Sequence, residues 1–240
     1  GGETPSTFTG AVVAMADKLD TIASFFSIGV IPTGSQDPYG LRRQASGIVA
    51  ILLDRNWGIS FEELLTFVQT DKENELLDFF TQRLKYVLNA EQIRHDVIDA
   101  VLESSELEPY SALHKAQVLE QKLGAPGFKE TAEALGRVIS ISKKGVRGDI
   151  QPDLFENEYE AKLFDAYQTA KQNLQENFSK KDYEAALASL AALKEPIDAY
   201  FDHTMVIADN EALKANRLAQ MVSLADEIKS FANMNALIVK

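Results

Sequence analysis

From residue 9 almost to the end of the chain, apolar residues recur three and four positions apart, and no stretch alternates with period two for long enough to suggest a sheet. This periodicity leaves one fold class, all-α. Residues 9 to 28 place Val12, Met15, Leu19, Ile22, Phe25 and Phe26 on one stripe and end at Gly29, where a helix C-cap belongs. After the turn Val30-Ile31-Pro32-Thr33-Gly34-Ser35, Asp37 and Pro38 offer an N-cap and a first-turn proline for the helix that follows.

The middle of the chain continues the pattern. Ser60-Phe61-Glu62-Glu63 reads as a capping box, and Leu76, Leu77, Phe80, Leu84 and Val87 form the stripe of a helix over 73 to 88. The run NAEQIRHDVIDAVLES contains the dipeptide His95-Asp96, which is a hydrolase signature only with further ligands. It sits inside an amphipathic pattern, no second histidine is near, and a structural helix is expected. His114 and His203 are equally isolated. Residues 109 to 141 give two helices separated by Gly124-Ala125-Pro126-Gly127, and IQPDLF interrupts the pattern, so a domain boundary is expected at 149 to 155. Beyond it four helices follow. Leu163, Tyr167, Ala170, Leu174 and Phe178 stripe the first; Ser179 is read as the cap of the second; Pro196 opens the third, with Ile197, Phe201 and Met205 on its apolar face; a polar break at Asp209 opens the fourth. Joined by short turns, they should pack as an antiparallel bundle.

At 240 residues the chain can bury one or two cores. It has no cysteine, which excludes disulfides and thiolate metal sites. No apolar run reaches the ~18 residues of a membrane span, and the first residues lack a signal peptide's basic start and apolar core. A soluble cytoplasmic protein is expected, with no membrane partner. Because the sequence starts with Gly-Gly rather than Met and is helical almost at once, a piece of a longer chain is expected as well. The formal charge of -12 argues against coating nucleic acid by charge alone, which needs clustered Lys and Arg, but leaves room for a local basic surface.

Two stretches carry a family resemblance. Residues 16 to 56 hold an Ala-Asp-Lys-Leu-Asp-Thr helix, a Gly-Val-Ile-Pro-Thr-Gly-Ser turn and then Asp-Pro-Tyr-Gly-Leu-Arg-Arg. This long, nearly ungapped pattern resembles the β subunits of bacterial heterotetrameric glycyl-tRNA synthetases, as does Asp-Val-Ile-Asp-Ala-Val-Leu at 96 to 102. Near the other end, Phe201-Asp202, Met205-Val206, Asp209, Glu211-Ala212-Leu213-Lys214 and Asn216-Arg217-Leu218 resemble the anticodon-binding domain named for its Asp-Ala-Leu-Arg run, with Glu211 and Lys214 in place of its acid and base. The resemblance implies the C-terminal part of such a β subunit. Residues 1–150 would hold the end of an HD-like helical domain and a helical connector, and residues 151–240 an α-helical anticodon-binding bundle. It also implies a tRNA specific for glycine and the synthetase α subunit as partners. Glycine, ATP and magnesium would be used by the whole enzyme at the α subunit's class II centre, with no cofactor or metal bound by this piece and no catalytic residue in it. In metal-binding HD relatives the position of Asp17 is the last ligand. One carboxylate cannot hold a metal, so no metal site is expected here. A metal-dependent HD phosphohydrolase and a purely helical scaffold are the other readings.

The residues expected to touch tRNA fall in two groups. Lys143, Lys144 and Arg147, with Arg137 nearby, form the most basic patch, suited to phosphates. Asp209, Asn210, Lys214, Asn216 and Arg217 gather hydrogen-bonding groups at one helix start, and Tyr200, Phe201 and His203 precede them as possible stacking surfaces. Arg217 is expected to be the direct reader, Phe201 to belong to the core, and Asp209 or Asn210 to be the N-cap.

Overall fold

A computed structural model of the chain describes residues 4–103 and 107–239. Gly1 and Gly2, and the Ser104 end of the 89–104 pattern, lie outside these residues. Among the described residues every regular element is helical, and an isolated bridge between Thr33 and Gln36 is the sole extended pairing. The chain forms two compact units, one of residues 1–94 and 106–113, the other of residues 95–105 and 114–240.

In the first unit, α1 (Phe8–Ser27) starts at Thr7, whose hydroxyl accepts from Gly10 N at 3.0 Å. It ends in a Schellman turn: Gly29 takes φ 78°, its N–H donates to Phe26 O, and the Val30 N–H donates to Phe25 O, both at 2.9 Å. α2 (Leu41–Asp54) begins later than the sequence suggests. Gly40, left-handed at φ 65°, holds the N-cap position, while the Asp37 carboxylate reaches forward to accept from Leu41 N at 2.8 Å and Arg42 N at 3.0 Å. Asp37 caps the helix from a distance, and Pro38 lies in the preceding turn. α3 (Phe61–Leu65) has the expected capping box between Ser60 and Glu63. α1 and α4 (Glu73–Ala90) each pack on α2, burying Leu19, Ile22 and Phe26 of α1, Ile48 and Leu52 of α2, and Phe80 and Leu84 of α4. Each such side chain contributes about 1.5–3 kcal/mol of transfer free energy.

The second unit starts with α5 (His95–Leu102), so His95 is the first residue of a helix rather than an interior one. α6 (Pro109–Lys122) contains the changeover from one unit to the other at 113/114. α7 (Phe128–Ser142) follows the expected turn at 124 to 127, with Gly127 left-handed at φ 79°. The four-helix region is α8 (Glu158–Ser179), α9 (Tyr183–Ala191), α10 (Lys194–His203) and α11 (Glu211–Phe231). Ser179 closes α8 instead of capping α9, which is capped by Asp182 through Ala185 N at 2.9 Å.

The structure divides the chain differently from the expected 1–150 and 151–240. Residues 149–155 run inside the second unit, because α7 lies along α11. The final turn (Met234–Ala236) is fastened to α5 and α7. The Asn233 N–H donates to Ala100 O at 2.8 Å, and Asn235 Nδ2 donates to Ser140 Oγ at 3.1 Å. From residue 216 to residue 221 every side chain of α11 is buried, more than a full turn, so this helix is enclosed on all sides there.

Candidate nucleic-acid interface

The loop between α10 and α11 decides what the second unit can present. α10 stops at His203, where Thr204 turns extended at φ -133°, ψ 122°, and Asn210 opens α11 by accepting from Ala212 N and Leu213 N at 2.9 and 3.2 Å. Asn210 is thus the N-cap, and Asp209 before it is exposed. Thr204 is buried, its hydroxyl accepting from Asn157 Nδ2 at 3.1 Å at the start of α8. Met205 lies beyond the helix end and is 74% exposed, so it is not on the apolar stripe where the periodicity puts it.

Arg217 holds this loop from beneath. It is 5% exposed, and its guanidinium donates from Nε to Glu160 at 2.7 Å, from one terminal nitrogen to Met205 O at 3.1 Å, and from the other to Glu156 at 2.9 Å and Glu160 at 3.3 Å. Glu160, fully buried, also accepts from Glu156 N at 2.8 Å and Asn157 N at 3.2 Å, so the capping box of α8 and the ion pair share one carboxylate. The hydrogen bond to Glu160 lifts Arg217 above the usual guanidinium range, outweighing the cost of burial. The expectation that Arg217 reads a base is corrected here. Four of its five N–H donors go to Glu160, Glu156 and the Met205 carbonyl, and burial leaves it no face for stacking.

Asn216 is corrected in the same way. It is 5% exposed, its amide oxygen accepting from Gln151 N at 2.7 Å and its nitrogen donating to Gln151 O at 3.0 Å, a two-pronged clamp on the segment leading into α8. Tyr200, proposed as a stacking surface, is fully buried, and burial pushes its phenol up from the ordinary value. Lys214 is half-buried at the start of α11, its ammonium 2.7 Å from Glu211.

The accessible cations lie elsewhere. Lys143, Lys144 and Arg147 are exposed on the loop after α7, as expected. That loop is pinned to α11: a Cβ at Gly145 would stand 2.8 Å from Leu218 Cβ, and Arg147 pairs with Asp226. Alongside runs a groove whose walls are Arg137, Ile141 and Lys144 on one side and Phe201, Met205 and Ile207 on the other. The Arg137 guanidinium lies over the Phe201 ring, 3.9 Å from its centroid, so Phe201 is half-exposed rather than core. His203 is exposed and stacks on Tyr159 with centroids 3.9 Å apart.

The structure therefore brings Lys144 together with Arg137, an aromatic face and exposed apolar side chains, and takes Arg217 and Asn216 out of reach. Planar and apolar faces beside cationic donors are what an unpaired base and its phosphate require. Sequence reasoning missed the Arg137–Phe201 pair and the exposed Met205 and Ile207. The available signal was the apolar run Met205-Val206-Ile207 against the polar break, which is unusual for a solvated turn. Among the described residues no three His, Asp or Glu side chains stand close enough to hold a metal ion, and Asp17 is exposed on α1. No described helix is long and apolar enough to cross a membrane.

Two family models match the chain: glycyl-tRNA synthetase beta subunit over residues 1–103, and DALR anticodon binding domain over residues 131–234. The glycine–tRNA ligase beta subunit of Halalkalibacterium halodurans is 42% identical over 254 residues, covering 100% of this chain and 37% of that protein. That of Shouchella clausii is 42% identical over 253 residues, covering 99% of this chain and 36% of the relative, and that of Listeria monocytogenes serovar 1/2a is 39% identical with 100% and 36% covered. The chain thus spans little more than a third of the length of these curated relatives. With similarity running through both compact units and the groove lying inside the segment matched by the anticodon-binding model, the chain belongs to the glycyl-tRNA synthetase β-subunit family.

Proposed function

We propose that this chain recognises glycine tRNA within glycine–tRNA ligase by holding the anticodon loop in the groove between the end of α7 and the α10–α11 loop. The observation that carries the reading is the Arg137–Phe201 stack beside Lys144 and the exposed Met205, in a segment matched by an anticodon-binding family. Glycine codons begin with two guanines, so every glycine anticodon ends in two cytosines. An unstacked cytosine offers an amino donor and ring acceptors. Arg137 and Lys144 supply donors for the acceptors, Asp209 supplies an acceptor for the amino group, and the Phe201, Met205 and Ile207 faces supply a stacking surface. Lys143 and Arg147 take phosphates, Lys214 joins them at the rim, and Asn210 contributes through its cap, which fixes the loop.

In this reading the ligation of glycine with ATP and magnesium is carried out with the α subunit in a heterotetramer in the cytoplasm. This chain contributes recognition and no catalytic residue. The test compares binding of glycine tRNA with binding of a tRNA whose two anticodon cytosines are changed. Arg137→Ala with Lys144→Ala is expected to weaken the cognate RNA by about 1–3 kcal/mol and narrow the gap between the two. Equal affinity of the unaltered chain for both RNAs would overturn the anticodon reading.

A further inference from the structure

The first unit carries a cationic cluster that the groove does not use. Arg42 and Arg43 lie in the first turn of α2, and Arg83 projects from α4, which packs on α2. In a chain with 36 acidic and 24 basic residues, cations usually find carboxylates, yet none of the ion pairs among the described residues includes Arg42, Arg43 or Arg83. The nearby acid, Asp37, has both oxygens committed to the Leu41 and Arg42 amides. The Nε of Arg83 is buried without a hydrogen-bond partner, and burial together with the Arg42 charge lowers the Arg83 pKa. The two guanidiniums repel each other, the Asp37 charge offsets only part of that cost, and a second anion between them would recover more of it.

The surroundings indicate which anion. Tyr39 is 54% exposed and stacks on Phe25 with centroids 4.3 Å apart, so its ring is rigid and accessible. Tyr86 is 64% exposed with the Arg83 guanidinium 5.8 Å from its centroid. Guanidinium forks match phosphate oxygens, and flanking rings suit a sugar or an unstacked base.

We infer that Arg42, Arg43 and Arg83, with Tyr39 and Tyr86 beside them, form a second RNA contact, which takes the phosphodiester backbone of tRNA without reading its sequence. The inference rests on the tRNA-binding reading for its ligand, but on different residues in a different unit. It is tested with the whole chain by measuring affinity over a salt series for glycine tRNA and for the RNA with altered anticodon cytosines. R42Q/R83Q is expected to weaken both RNAs by the same factor, lower the slope of log affinity against log salt by about one per guanidinium removed, and leave the ratio between the RNAs unchanged. Because Arg83 is partly buried, R42Q/R43Q provides the same measurement at a helix start, with folding checked by circular dichroism. Wild-type affinity and slope in a folded variant would overturn the inference, as would a change in the ratio between the RNAs. Inorganic phosphate serves as the small-anion probe: at matched ionic strength it should compete weakly, and tight phosphate binding with unaltered RNA affinity would also overturn the proposal. Failure of the anticodon reading looks different, as equal binding of both RNAs with the slope still falling in the arginine variants.

Discussion

Arg217 and Glu160 hold each other where water does not reach, and the carboxylate accepts from two backbone amides as well as from the guanidinium. Taking away one partner of such a pair strands a desolvated charge. Arg217→Ala is therefore expected to cost about 3–5 kcal/mol in denaturant unfolding measured without any RNA present. Arg217→Lys keeps the charge but not the fork that spans Glu160, Glu156 and the Met205 carbonyl, and should recover only part of that loss. A folded Arg217→Ala of undiminished stability that loses anticodon discrimination would return Arg217 to the reading surface.

At the scale of elements, the caps decide where the loops begin, and Asn210 is the clearest case. Its side chain accepts from two amides at the start of α11, so Asn210→Ala should lower stability by about 1 kcal/mol while Asn210→Asp keeps it, both read from thermal unfolding. Helix number and type were legible because apolar spacing survives in nearly every helix, and the Ser60–Glu63 box could be read letter by letter. Other features were not. The start of α2 was misplaced because Asp37 caps across three residues and Gly40 supplies the left-handed turn. The burial of Arg217 and Asn216 was not legible because α11 is enclosed from 216 to 221, so both sit where a two-faced helix would have put solvent. Their partners Glu160 and Gln151 are 57 and 65 positions away, a pairing that no local spacing encodes. The exposure of Lys143, Lys144 and Arg147 was legible because a glycine-punctuated basic run stays at the surface wherever the helices go.

For the whole molecule, the two compact units set which pieces can stand alone. A chain cut to 151–240 keeps the four helices of the expected bundle but loses α7 from the side of α11 and α5 from the final turn. It is expected to lose cooperative unfolding by circular dichroism, whereas 95–240 should retain a sharp transition. A sharp transition in the shorter piece would place the boundary at 150 after all. The buried pair has a further consequence, in heredity. Because Arg217 and Glu160 each become a liability without the other, a lineage cannot exchange either one singly without passing through a weakened protein. The two codons, 57 positions apart, are thus expected to change together, which ties the start of α8 to the floor of the α10–α11 loop.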